Sequence, residues 1–294
     1  MKLIIENWKK FVNESQASDS FIKGQDLGLE QFTSLLKQIA SDPEFRKLAF
    51  AGRADAGGPG DEAISVQEGS PVAAIDLTPT QMDIDTNKSL GDQMTNKYDA
   101  TVAALEEIVT MPSPGGRIPL LVFENKYILD GHHRWSQVLM TNPQGKMTVS
   151  NLTSPAFGTG PAGAERALKA TQLAIAALAG NVVTKSTDLN LLKLPPQQLG
   201  QYVMKNITDD VLQLLAQAKK ISQPDRQEAA KYYMSNLQAV QAKPAGKFAR
   251  EKGMPQADDS GVPQIQVNKA LERGNINFNN PQPQDAVRSK KAAE

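Results

Sequence analysis

The chain has 294 residues, with 32 basic and 32 acidic side chains and a formal net charge of zero. That length suits one moderate domain with additions or two small domains, and the charge balance gives no global pull toward nucleic acid or an anionic membrane surface. The absence of cysteine excludes disulfides, thiol catalysis and thiolate metal sites.

No apolar run approaches the roughly eighteen residues of a membrane span. The opening Met1-Lys2-Leu3-Ile4-Ile5-Glu6 carries an acid early and lacks a signal-peptide pattern. A cytoplasmic protein without membrane contact is expected. Charge is uneven along the chain: Arg53 to Glu107 holds three basic and eleven acidic residues, and Lys243 to Glu294 nine basic and six acidic. The acidic stretch reads as a solvated face, with a divalent metal nearby as the alternative. The basic excess of the tail is too small to argue for DNA on its own.

Residues 1–50 read as a helical N-terminal extension. Ile4, Ile5, Trp8, Phe11 and Val12 recur at helical spacing, as do Leu29, Phe32, Leu35, Leu36 and Ile39. Asp42-Pro43 has the form of an N-cap and first helical residue. The Gly- and Ala-rich stretch 51–61 reads as a linker. From there to about residue 155 the pattern changes to strands mixed with helices. Val72 to Leu77 is a candidate strand, and Asp99 is expected to cap a helix with Val102, Leu105, Ile108 and Val109 on one face. Ile118 to Phe123 and Tyr127 to Leu129 flank a Glu124-Asn125-Lys126 turn, which signals a hairpin. Trp135 to Met140 is helical up to Asn142-Pro143, and Met147 to Leu152 is another strand. Residues 162–242 read as a helical module with helices over Ala164–Leu178, Pro196–Lys205, Thr208–Ile221 and from Ser222 to about Gln241. The polar, proline-rich 243–294 reads as an extended or disordered tail, with a short helix near Val267 to Arg273.

The chain's two histidines are adjacent, inside Asp130-Gly131-His132-His133-Arg134. An apolar strand leads in and a helix leads out, so this turn gathers polar side chains and backbone N–H groups at a strand's carboxyl end, a natural place for phosphate. Gly131 allows a positive φ or a close approach. Arg134 offers a planar charged fork for phosphate oxygens. His132 and His133 can donate to phosphate or act as general acid or base near neutrality. Asp130 can hold Mg²⁺ through oxygen, orient a histidine or accept a proton. A zinc site is disfavoured, because adjacent histidines rarely converge on one tetrahedral ion. The bland alternative is a HisHisArg that merely caps a helix.

The stretch from about Ile64 to Leu152, roughly a third of the chain, resembles the nucleotide-binding domain of the ParB/sulfiredoxin superfamily. The resemblance rests on IPLLVFENKYILDGHHRWSQVLM, preceded by VAAIDLTPTQ and ATVAALEEIV. It implies an α+β core with a hairpin, a G-x-x-R turn and a helix whose start contacts nucleotide phosphates. Partition proteins of this superfamily carry GERR at the turn, sulfiredoxins GGCHR, and free-amino-acid kinases and many phage proteins DGHHR. Gly131 and Arg134 match the shared turn. His132 stands where sulfiredoxins have their reactive cysteine, so sulfinate repair is excluded. Asp130, His132, His133 and Arg134 match the kinase-like form and are the expected catalytic residues. Gly131, His133 and Arg134, with Lys88, Ser89 or Lys97 nearby, are the expected phosphate ligands. Asp130 is the expected metal ligand, with Asp83 or Asp85 as a second acid and Asp83 the preferred one. The partition proteins' ENxxR motif is not found, which argues against a nucleotide-gated DNA clamp. The opening MKLIIENWKKFV is also similar to N-termini of tailed-phage proteins.

The resemblance implies an enzyme that uses ATP or CTP with Mg²⁺ for phosphoryl transfer, or that cleaves phosphodiesters as a ParB-like nuclease. The alternatives are a non-enzymatic DNA-binding, partition-like protein, or a phage assembly component that has kept the fold. Partners are then nucleotide, DNA, or phage and host proteins reached through the N-terminal helix and the C-terminal tail.

Overall fold

The computed structural model describes residues 65–69, 71–81, 83–113, 116–153, 158–165, 167–168, 182–184, 189–243 and 255–257. The expected helices of residues 1–50, the 51–61 linker, most of the Ala164–Leu178 helix, the Val267–Arg273 helix and nearly all of the tail lie outside the described residues. The described residues form an α+β structure. Contacts divide the chain into two units. One joins Glu68–Asn151 to Ser186–Lys252 and contains the DGHHR turn. The other joins Met1–Gln67, Leu152–Lys185 and Gly253–Glu294.

Along the chain, β1 spans Ser65–Glu68, β2 Val72–Ala73 and β3 Thr78–Pro79, with a 3-10 turn at Ala74–Asp76 between the last two. The Val72–Leu77 strand expected from sequence is therefore broken. Helix α1 is Thr86–Thr95 and α2 is Ala100–Ala104. Strands β4 (Ile108–Val109), β5 (Pro112–Ser113) and β6 (Gly116–Arg117) precede the hairpin of β7 (Leu120–Phe123) and β8 (Tyr127–Asp130). Helix α3 is His132–Thr141, followed by β9 (Lys146–Met147) and β10 (Val149–Thr153). Residues 160–165 and 167–168 are helical. In the same unit as those residues, β11 (Val182–Thr184) pairs antiparallel with β12 (Pro255–Ala257), with Val183 opposite Gln256.

The main sheet of the site-bearing unit runs in the order β10-β7-β8-β3. The hairpin β7–β8 is antiparallel, and β3 lies parallel to β8 with Thr78 opposite Tyr127. Leu120 to Leu129 is nearly all apolar outside the turn because both faces of this hairpin are covered. Its turn places Glu124 and Asn125 at φ of 54° and 51°, closed by the Lys126 N–H to the Phe123 carbonyl at 3.1 Å. Two consecutive left-handed residues match the twist of the flanking strands. A bulge sets Leu121 opposite Asp130 but Val122 opposite Ile128, so Leu129 is the extra residue just before the turn. A smaller sheet runs β2-β9-β4.

The helix expected from Asp99 to Val109 is corrected. Only Ala100–Ala104 is helical, and Ile108–Val109 is a strand parallel to β9. The buried face is the small one, Ala100, Ala103 and Ala104, while Val102 is 40% and Ile108 50% exposed. Side chains this small let α2 approach α3 closely, so tight packing overrode the larger apolar stripe. Nor does Asp99 cap: the Asn96 Oδ1 accepts from the Thr101 N–H at 3.0 Å and performs that task.

Three further helices follow: α4 (Pro196–Asn206), α5 (Asp209–Gln217) and α6 (Arg226–Gln241). Helix α4 keeps its expected bounds to within a residue because Pro196 opens it. Helix α5 ends at Gln217, four residues before the expected Ile221, and α6 starts at Arg226, four after the expected Ser222, with Asp225 as its N-cap. Arg226 donates to the Ile207 carbonyl and to Asp209 Oδ1, tying α6 to the α4–α5 joint. Helix α6 packs on α4 and α3. There the Tyr232 hydroxyl donates to the Thr141 carbonyl at 2.7 Å, and Asn236 Nδ2 to the Met140 carbonyl at 2.7 Å. These helices, from the stretch expected as a module, thus belong to the same compact unit as the DGHHR turn. No helix among the described residues is long and apolar enough to cross a membrane.

Candidate functional site

The turn is built by one residue. Gly131 joins β8 to α3 with φ of 96°, a conformation natural to glycine. A Cβ there would lie 2.5 Å from Leu120 Cδ2 and 2.9 Å from Arg134 Nη2. The Gly131 carbonyl accepts from the Trp135 N–H at 2.9 Å, opening α3. Trp135, fully buried, donates its indole N–H to the Ala74 carbonyl at 2.8 Å and anchors the helix. Strand, glycine and helix start therefore stand as the sequence pattern implied.

The four polar side chains of the turn take different directions. His132 is 1% exposed. Its Nε2 lies 3.0 Å from the Thr80 backbone nitrogen and 3.2 Å from Thr80 Oγ1, while that hydroxyl donates to the Ile128 carbonyl at 2.5 Å. A backbone N–H can only donate, so Nε2 is the lone-pair nitrogen and the ring proton sits on Nδ1. His132 thus clamps the end of β3 to the start of α3.

His133 is partly exposed and faces α1, with Nδ1 3.1 Å from Ser89 Oγ. Ser136 Oγ is 2.9 Å from Ser89 Oγ and 2.9 Å from the His133 carbonyl. Ser89 is fully buried, so it reaches His133 and Ser136 rather than solvent. Lys88, its exposed neighbour, lies in the first turn of α1, where its N–H is held by the Asp85 carboxylate.

Arg134 turns inward. Nη1 donates to the Ile118 carbonyl at 2.5 Å and the Pro119 carbonyl at 3.2 Å, and Nη2 to Asp130 Oδ2 at 3.2 Å. Its side chain is 12% exposed against 31% for Asp130. Burial pulls the guanidinium below its usual pKa, and the Asp130 carboxylate pulls it back up. The fork is spent on fastening α3 to the entry of β7.

The second acids are also employed in the fold. Asp83 Oδ1 accepts from Asn190 Nδ2 at 2.6 Å, and Asn190 Oδ1 in turn accepts from the Ile84 and Leu192 N–H groups. Asp85 caps α1. No group of three or more His, Asp or Glu arranged to hold a metal ion occurs among the described residues. The structure thus brings Asp130, Gly131, His133, Arg134 and Ser89 together around one turn.

Two partners escaped the sequence reading. Ser136 stands three residues beyond His133, a spacing that puts both on one helix face and could have drawn attention to it. Thr80 lies 52 residues from His132 and carries no local signal. Comparison with known protein families, characterised proteins and solved structures finds no match to this chain.

Proposed function

We propose that the protein binds the phosphate of a nucleotide, ATP or CTP, or of nucleic acid at the Asp130–Arg134 turn. On this reading it carries out Mg²⁺-dependent phosphoryl transfer or phosphodiester hydrolysis on a core of the ParB/sulfiredoxin type. The observation that carries it is the convergence of two helix starts on one partly exposed imidazole: His133 in the first turn of α3, and Ser89 in the first turn of α1, 3.1 Å apart. Helix N-termini carry partial positive charge, which suits a phosphate. The first N–H groups of α1 are already held by Asp85, so the backbone donors of this reading belong to α3.

In this reading His133, Gly131 and Lys88 meet the phosphate, and His133 is the acid–base group. His132 and Arg134 hold the turn in shape rather than touching the reacting atoms, and Ser89 acts through His133. One partly exposed carboxylate, Asp130, suits Mg²⁺, which keeps most of its waters and takes its remaining ligands from substrate phosphate; a protein-built cage is not what these residues offer. When bound there, the ion would neutralise charge developing on the phosphate oxygens.

The test is nucleotide binding and turnover with ATP and with CTP in Mg²⁺, each alone and with serine or DNA added. Turnover should disappear in His133→Ala with the fold intact. Failure of the wild-type protein to bind either nucleotide, or full activity in His133→Ala, would overturn the assignment.

A further inference from the structure

Ser136 Oγ has two acceptors at the same distance, Ser89 Oγ and the His133 carbonyl, both 2.9 Å away. A hydroxyl has one proton and can serve only one of them at a time. Ser89 Oγ likewise has one proton and faces two neighbours, Ser136 Oγ and His133 Nδ1. Both serines are fully buried, so bulk water does not offer these hydroxyls alternative partners.

Two proton arrangements run donors in one direction along Ser136, Ser89 and His133 Nδ1; the first leaves the Ser136–His133 carbonyl contact without a proton, and the second gives all three short contacts one. In one, Ser136 donates to Ser89 and Ser89 donates to His133 Nδ1, which leaves the ring proton on Nε2. In the other, His133 Nδ1–H donates to Ser89, Ser89 donates to Ser136, and Ser136 donates back to the His133 carbonyl, which leaves Nε2 as a base. We propose that Ser89 and Ser136 form a buried hydroxyl relay that supports both neutral tautomers of His133. The relay lets the far ring nitrogen serve as hydrogen-bond donor or as proton acceptor.

The second arrangement also holds the ring after Nε2 has taken a proton. The imidazolium then keeps Nδ1–H on Ser89, and the chain of donors ends on a carbonyl. The proton taken up at Nε2 leaves from the same atom, so the serines end each cycle as they began. This pair occupies the place behind the imidazole where a carboxylate often stands to orient a catalytic histidine. Ser89 and Ser136 are positioning residues. His132 has no such freedom, because the Thr80 N–H fixes it in one tautomer.

The inference rests on His133 being the acid–base group of the proposed site, but its test needs no substrate. With only two histidines in the chain, ring nitrogens of ¹⁵N-histidine-labelled full-length protein give two resolvable sets of signals at a pH where both rings are neutral. Expected are a single Nδ1–H tautomer for His132 and averaged, mixed-tautomer shifts for His133. Ser136→Ala removes the acceptor that the second arrangement needs and should move His133 toward the Nε2–H form. Ser89→Ala should break its coupling to Ser136, so that adding Ser136→Ala changes nothing further. The unmoved His132 signals report that the turn is still folded. His133 shifts identical in wild type, Ser89→Ala and Ser136→Ala would overturn the relay. Absence of turnover in the wild type would count against the proposed function and leave the relay standing, whereas unchanged spectra with normal turnover would sink the relay alone.

Discussion

Thr80 donates its backbone N–H to His132 Nε2 at 3.0 Å, across 52 residues of chain. The contact joins the end of a strand to the first residue of a helix, and both partners are buried, Thr80 fully and His132 at 1% exposure. A histidine that looked catalytic by position thus serves as an acceptor for the main chain.

Replacing it should cost stability before it costs chemistry. His132→Ala strands a buried N–H, worth about 1–3 kcal/mol, and opens a cavity beside it. The urea midpoint should fall with an unchanged denaturant slope. A midpoint equal to the wild type's would show that the clamp contributes nothing.

Arg134→Lys separates two roles for the guanidinium. A lysine cannot span the Ile118 and Pro119 carbonyls and Asp130 together, and hydrogen bonds from charged donors are worth about 1.5–3 kcal/mol each. The variant should lose about 2 kcal/mol of stability in chemical denaturation. Wild-type stability combined with weakened nucleotide binding would instead make Arg134 a direct phosphate ligand.

Gly131→Ala should be the most damaging single methyl in the turn. A left-handed backbone at a residue other than glycine costs about 1–3 kcal/mol, and the new Cβ meets Leu120 Cδ2 at 2.5 Å. Both stability and nucleotide binding should drop, as read by thermal melting and by titration calorimetry. Retention of both would mean that the turn relaxes without cost.

At the start of α6, the Glu228 carboxylate accepts the Ser222 N–H at 2.7 Å, the Ser222 hydroxyl at 2.9 Å and the Gln223 N–H at 3.3 Å. These bonds, the Ser222 N–H foremost, hold its pKa below the usual carboxylate value. A depressed folded-state pKa contributes stability that is present above the unfolded value of about 4.3 and disappears as pH falls through the folded one. Glu228→Gln should therefore be less stable than wild type near neutrality, with the gap narrowing below about pH 4. A gap independent of pH would remove the ionic part of this account.

What was legible in the sequence was local. The hairpin, the Gly131 turn, the stop at Asn142-Pro143 and the Pro196 start of α4 depend on residues within a few positions of one another. Residues brought together from afar were not legible. Ser89 sits 44 residues from His133, and its side chain gives no sign that it is buried against an imidazole rather than exposed to a phosphate. The α2 face was inverted because periodicity weighs apolar size, whereas the structure used Ala100, Ala103 and Ala104 for close approach. The same limit applied to Arg134: sequence named its chemistry but not the two carbonyls that claim it.

Those two carbonyls make the turn a latch. Ile118 and Pro119 connect the β5–β6 ribbon to β7, and the Ile118 N–H is itself held by the Met111 carbonyl at 3.2 Å. Arg134→Lys, by withdrawing the fork, would release the backbone at 118–119. The loss would register as faster amide exchange and easier proteolysis around residues 116–119, on a segment whose own sequence is unchanged.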